Sequence, residues 1–175
     1  MLWTALWIIL GLIAALVAVA ATRPDTFRVE RSAIIAVPPA QLYARLADLR
    51  SFDDWSPWAK LDPAMQKTFS GPATGIGSAY AWEGNKNVGA GRMEIIELVP
   101  DRLLRMKLQF FRPFKADNEA IYTLEPMDGG TRLTWAMTGP LNLMARVMHL
   151  LMNMDRMVGG DFEKGLVSLK RVAEG

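Results

Sequence analysis

A chain of 175 residues without a single cysteine has no disulfide framework, no thiolate nucleophile and no cysteine-ligated metal. Its 20 Lys and Arg against 18 Asp and Glu leave a net charge of +2, mixed evenly along the sequence, which is not the footprint of a nucleic-acid-binding surface. What the composition has in excess is soft apolar bulk, with eleven methionines and six tryptophans.

The N-terminus sets the first constraint. Leu2 to Ala21 carries no charge, and only Thr4 and Gly11 fall outside the aliphatic and aromatic set. As a helix rising about 1.5 Å per residue it is roughly 30 Å long, the thickness of a bilayer's hydrocarbon core. Ala18-Val19-Ala20 looks like a signal-peptidase site, but the segment lacks a basic n-region and is longer than an ordinary h-region. Residues 1–22 are therefore read as an uncleaved transmembrane anchor, with Trp3 and Trp7 in an interfacial belt. Arg23, Arg28 and Arg31 follow the span, so the positive-inside tendency places the rest of the chain in the cytoplasm. That remainder, about 150 residues, is the size of one ordinary domain and is assigned to 26–174.

"TFRVERSAIIAVP" predicts an opening strand that Pro38-Pro39 ends. "PAQLYARLADLRSF" places Leu42, Leu46 and Leu49 at helical spacing, with Pro39 suited to the first turn. The segment "SFDDWSPWAKLDP" then reads as a second short helix that Pro57 stops, with Asp53 and Asp54 in its first turn and both tryptophans on one face. From Met65 onward the hydrophobic period is two. "GSAYAWEG", "GAGRMEIIELVP", "DRLLRMKLQFF", "DNEAIYTLEP" and "TRLTWAMTG" alternate apolar and polar positions, and Asp128-Gly129-Gly130 marks a hairpin. Short strands with one apolar face predict a curved antiparallel sheet. From about Leu141 to Val172, apolar residues from Val147 to Leu169 recur at three- and four-residue steps, which predicts one long amphipathic helix. Gly159-Gly160 in its middle marks either a kink or a close approach to the sheet.

This order of elements, with "FDDWSPW", "GIGSAYAWEG", "GAGRMEI" and "MVGGDFEKGLVSLK", resembles the START-like or SRPBCC superfamily. Within it the likeness is to polyketide cyclase/dehydrase-type proteins that carry an N-terminal membrane anchor, and it covers Phe27 to about Ala173. The resemblance implies an α+β helix-grip fold, a sheet wrapped around the long C-terminal helix with an elongated cavity between them. It also implies a hydrophobic ligand such as a lipid, sterol, polyketide or plant hormone. Many members have no known enzymatic activity.

Catalytic residues are sparse. His149 is the only histidine, on the last helix, and no spacing suits a zinc site. Asp53-Asp54 and the Asp161/Glu163 pair diverge from one another on their helices, and the glycines at 71, 75 and 77 punctuate strands and do not cradle phosphate. No cofactor, no metal and no catalytic residue is assigned, and the oligomeric state is open. Cavity-lining residues are expected at Trp55, Trp82, Met93, Phe110, Tyr122 and Trp135 on the lid and sheet, together with Met137. The last helix is expected to add Leu151, Met154, Val158 and Phe162. Methionine suits such a wall because it fills irregular space. Tyr122, Trp82, Trp135, Arg92 and Asn118 supply the polar groups that could orient a ligand. Of the two lid tryptophans, Trp55 is expected to reach the cavity and the aspartates to stay in solvent. Three functions follow: a membrane-tethered binder of a hydrophobic small molecule or lipid, a cyclase/dehydrase-like enzyme in the same cavity, or a scaffold whose interior its own side chains fill.

Overall fold

The computed structural model describes residues 2–175; Met1, which the anchor assignment includes, lies outside the described residues. Helix α1 (Leu2–Ala21) leads into strand β1 (Thr26–Ile35), helix α2 (Pro39–Ala47) and, after one 3₁₀ turn, the single turn α3 (Phe52–Trp55). Six strands follow: β2 (Gln66–Ser70), β3 (Ala79–Glu83), β4 (Ala90–Val99), β5 (Leu103–Arg112), β6 (Ala116–Met127) and β7 (Gly130–Pro140). Helices α4 (Leu143–Leu151) and α5 (Met154–Glu174) close the chain. The strands form one antiparallel sheet in the order β1-β7-β6-β5-β4-β3-β2. Two irregularities in β4, between Ala90 and Gly91 and between Ile95 and Glu97, help the sheet to curl.

The concave face of that sheet holds α5, which is the expected helix-grip arrangement. Phe162, Leu166, Leu169 and Ala173 recur at helical spacing and are buried, so one stripe of α5 meets the sheet. Helix α2 brings Leu42 and Leu46 into the same core from the end of the sheet opposite α1.

The terminal segment departs from expectation in one respect. The single long helix is broken at Met152-Asn153, and α5 runs unbroken through Gly159-Gly160. Capping decides the position of the break. The Asn142 side chain accepts from the Ala145 N–H and starts α4, and the Asn153 side chain accepts from the Arg156 N–H and starts α5. The glycines serve close approach. A Cβ on Gly159 would lie 2.1 Å from the Arg31 guanidinium, and one on Gly165 would lie 2.7 Å from the Trp135 ring.

Arg31 occupies that space because it fastens the helix. It lies opposite Trp135 on the inner face of β1, with Nε 2.7 Å from Glu163 and Nη2 3.0 Å from Asp155. The Lys170 Nζ donates to the Ile34 carbonyl and the Ala36 N–H donates to Glu174, so the C-terminal half of α5 is tied to the far end of β1.

Helix α1 stands largely clear of the domain. Trp3–Ala21 is long and apolar enough to cross a membrane, and only 6% of it is buried; a signal sequence near an N-terminus satisfies the same measure. Its last turns do touch the domain. Ala20 is fully buried where α1 packs on α4, and Arg146 Nη1 lies 3.2 Å from the carbonyl oxygens of both Ala21 and Arg23. A cation there complements the negative end of the α1 dipole.

Candidate functional site

Between α5 and the sheet lies a cavity of about 380 Å³, within the range of small-molecule pockets. Inward-facing residues of five neighbouring strands make its floor and walls: Tyr80 and Trp82 from β3, Met93 from β4, Met106, Leu108 and Phe110 from β5, Ala120 and Tyr122 from β6, and Trp135 and Met137 from β7. Period-two alternation puts them on one face, and the antiparallel register sets Tyr80 opposite Met93, Ala120 between Met106 and Met137, and Tyr122 opposite Trp135. The N-terminal half of α5 roofs the cavity with Met157, Val158 and Phe162, and Asp161 stands at its edge.

Trp135 anchors the closed end. It stacks on Phe162 with ring centroids 4.1 Å apart and on Tyr122 at 5.4 Å, and the edges of Trp55 and Trp58 meet it at 5.5 and 5.9 Å. Offset stacks and edge-to-face pairs are the favoured aromatic geometries, so this cluster is rigid.

Of the eleven residues predicted to line the cavity, the structure brings eight to it: Trp82, Met93, Phe110, Tyr122, Trp135, Met137, Val158 and Phe162. The other three lie elsewhere. Trp55 is buried in the core behind the wall, against Phe52, Tyr122 and Trp135, and Trp58 takes the cavity position. The two tryptophans do not share one helical face, because α3 ends at Trp55 and Ser56 turns to extended backbone, its Oγ accepting from the Trp58 N–H. Leu151 is 65% exposed, since the break after α4 removes it from the helix that faces the sheet. Met154 opens α5 one turn before the first residues to reach the cavity.

The polar residues also sort differently from expectation. Arg92 points to the outer face and pairs with Glu94. Asn118 faces inward, with its Nδ2 3.9 Å from the Met137 sulfur, but is not part of the cavity wall. The Trp82 indole N–H donates to the Val88 carbonyl at 3.1 Å and is thereby occupied. Asp54 is exposed, but Asp53 reaches the cavity wall, paired with Lys67. Sequence reasoning missed Tyr80, Met106, Leu108 and Ala120, although the alternation that pointed to Trp82 and Phe110 would have found them. It also missed the rim residues Lys86 to Gly89 and Pro113, which come from turns and carry no periodic signal, and Arg112 at the very end of β5.

Electrostatically the interior is quiet. The phenols of Tyr122 and Tyr80 are pushed well above the ordinary range by burial, with the Asp53 charge adding to the effect at Tyr80, so both remain neutral donors. The Tyr80 hydroxyl and the Trp135 indole N–H are buried without a hydrogen-bond partner. At the rim Arg112 pairs with Glu83 at 2.8 Å and Asp161 with Lys164 at 2.8 Å, and Lys86 is in no ion pair among the described residues. His149 stands apart from the cavity, its ring 5.5 Å from that of Phe27, and burial lowers its pKa.

No curated protein sequence matches this chain. Solved structures do. CV1439 from Chromobacterium violaceum is 17% identical, with a TM-score of 0.60 over 87% of this chain and 99% of that one. Ms6760 from Mycobacterium smegmatis is 22% identical, with a TM-score of 0.59 over 85% of this chain and 91% of that one. The di-domain ARO/CYC protein StfQ of the steffimycin biosynthetic pathway is 13% identical, with a TM-score of 0.60 over 85% of this chain and 51% of that one. At such identities the likeness is one of fold. The family model described as polyketide cyclase / dehydrase and lipid transport matches residues 26–174, the whole of the sheet and the gripped helix, and the chain belongs to that family.

Proposed function

We propose that this chain is a membrane-tethered binding protein for a hydrophobic small molecule or lipid, held between the sheet and α5. The observation that carries the reading is the apolar cavity of about 380 Å³, walled by aromatic rings and methionines, with its ionised groups at the rim, where Asp53, Arg112 and Asp161 are paired and Lys86 is not. A wall of this kind gains from any apolar surface it removes from water, at roughly 25 cal/mol per Å², and asks little of the ligand's shape because methionine is adaptable. The space also argues against the scaffold reading, in which the chain's own side chains would fill the interior.

Tethering is supported by the packing at Ala20. Cleavage after Ala18-Val19-Ala20 would remove α1, with the buried Ala20, from its seat on α4 and leave the Ala21 carbonyl that Arg146 holds at a frayed chain end. The cytoplasmic orientation draws less support. Arg31 is committed to Asp155 and Glu163 and Arg28 to Glu30, which leaves Arg23 as the unpaired cation of the three among the described residues.

The test is native mass spectrometry of the full-length chain, with saturation binding of an apolar fluorophore. A bound lipid or saturable binding is the expected result. An empty protein with no saturable site would overturn the reading.

One observation favours the cyclase/dehydrase-like alternative. The Tyr80 hydroxyl and Trp135 N–H are unpartnered donors on residues of the cavity wall, and a substrate carbonyl would satisfy them. Neither is open to water, so an acceptor reaches them only after a small side-chain shift. Turnover of a poly-β-keto substrate that falls with Tyr80→Phe would support this alternative, and binding without turnover would leave the binder.

A further inference from the structure

The register of the sheet draws a line across one of its ends. Thr26 pairs with Pro140, Phe110 with Ala116, Ala90 with Arg112, and Gln66 with Glu83. Three groups of structure lie beyond that line on the same end: helix α1 before Thr26, helix α4 after Pro140, and the turns at 84–89 and 113–115. The rim of the cavity is drawn from this end, through Lys86 to Gly89, Arg112-Pro113, and Met157 just after α4. The turns at the opposite end, 100–102 and 128–129, contribute nothing to it. The mouth and the apolar N-terminal helix are therefore neighbours.

The surface around that mouth is unusually apolar. Phe114 in the 113–115 turn is 83% exposed, and Phe111 beside it is 47% exposed. Helix α4 has no buried residue, and Met144, Met148 and Leu151 recur on its outer side at 71, 43 and 65% exposure. Its inner side rests on the end of α1, so α4 carries apolar groups on both sides. Lys86, Lys115 and Arg156 flank the area, and none is in an ion pair among the described residues. A short helix with an outward apolar stripe, bordered by unpaired cations, fits the headgroup layer of an anionic membrane.

The link to α1 decides between a bilayer and other occupants. Thr22–Asp25, the four residues joining α1 to β1, span no more than about 14 Å even when extended. They are held closer by Arg146 on the Ala21 and Arg23 carbonyls and by the Leu141 N–H on the Asp25 carbonyl. If α1 crosses a bilayer, α4 rests against its last turns and cannot stand far from that surface.

We propose that the domain sits mouth-down on the membrane that holds α1, with α4 and Phe114 in the interfacial layer. The cavity then opens onto lipid, and an apolar ligand passes between acyl chains and cavity without crossing bulk water. This rests on the tethered-binder reading and adds the docking face and the source of the ligand.

The absence of cysteine makes the test direct. Single variants Ile9→Cys, Phe114→Cys, Leu151→Cys and Asp128→Cys of the full chain are labelled with an environment-sensitive fluorophore. They are reconstituted in phosphatidylcholine–phosphatidylglycerol vesicles carrying nitroxide on the acyl chains. Docking predicts strong quenching at 9, 114 and 151, and none at 128. Quenching at 9 alone, with 114 and 151 behaving as 128 does, overturns the docking face and leaves the tether standing. No quenching at 9 overturns both. Labels at 114 and 151 that are shielded from the nitroxide but report one another across two chains would give the face to a second copy, and also overturn the proposal. A kinetic arm uses Phe114→Glu/Leu151→Glu, neither residue being in the cavity wall. Transfer of an apolar fluorophore from vesicle to cavity should slow by about tenfold, as expected when interfacial contacts are lost, while its affinity in detergent is unchanged. An unaltered transfer rate would count against the proposal.

Discussion

Trp55 and Trp58 are separated by three positions and do different work, because one faces the core and the other faces space. Trp55 is 3% exposed and surrounded by Phe52, Tyr122 and Trp135, so its removal leaves a hole that packed neighbours cannot close. Trp55→Ala should cost about 3–5 kcal/mol of stability by denaturant titration. Trp58→Ala already borders a void and should cost clearly less, but it should weaken binding of an apolar fluorophore. The reverse ranking would show the assignment of the two rings to be wrong. Tyr80 allows a second test at this scale. Its hydroxyl is buried and unpartnered, and an unsatisfied buried polar group is unfavourable by about 1–3 kcal/mol. Tyr80→Phe should therefore leave the ligand-free protein as stable as the parent or more so, measured by thermal melting; a loss would mean that the hydroxyl has a partner in solution.

At the scale of elements, what positions the roof of the cavity is the seat of α5 on β1. Arg31 holds the N-terminal half of the helix through Asp155 and Glu163, over the gap that Gly159 leaves open. The hydrogen bond from Arg31 holds the Asp155 carboxyl below its ordinary value of 3.8. The unfolded chain takes up that proton first as pH falls. The contribution of the clamp is thus complete above the ordinary carboxylate value and fades as pH drops through the lower folded value. Asp155→Asn should melt below the parent at neutral pH, with the gap closing in acid below about pH 4. A gap that stays constant with pH would mean that the pair contributes nothing. The ion pairs are partly exposed, so the effect should also shrink in high salt.

At the scale of the whole molecule, the cavity exists because the floor of the sheet is uneven. Ala120 stands in register between Met106 and Met137, a small residue between two long ones, beneath a helix held off by Trp135 and Phe162. In a filled core Ala120→Leu would overpack and cost about 1–3 kcal/mol. Over a void it should be tolerated within the error of a melt while reducing fluorophore affinity. A large destabilisation with binding intact would argue against an open interior in solution. The apolar helix, the α4 stripe and the mouth share one end of the molecule, and under the proposed tether that arrangement would tie ligand exchange to the membrane surface.

Most of this architecture was legible in the residue pattern, for an identifiable reason. Strand and helix periodicity record which side of each element is buried, so Leu104, Met106 and Leu108 marked a strand face and Phe162, Leu166 and Leu169 a helix face. The family wording then named the grip that joins them. Periodicity is local, and it failed wherever a capping contact or a tertiary gap was the deciding term. Asn153 capped a new helix and turned Leu151 outward, although the apolar stripe runs on through the break. Ser56 reversed the chain and exchanged the places of Trp55 and Trp58. Arg92 alternated as a strand residue should, but which of the two alternating faces looked inward depended on the curl of the sheet. By itself the sequence determined the strands and their buried faces, the helical character of the C-terminal segment and the apolar segment at the N-terminus. Tertiary structure alone decided which buried side chains border empty space and which border one another, because a void is a property of surfaces brought together and no single element carries it.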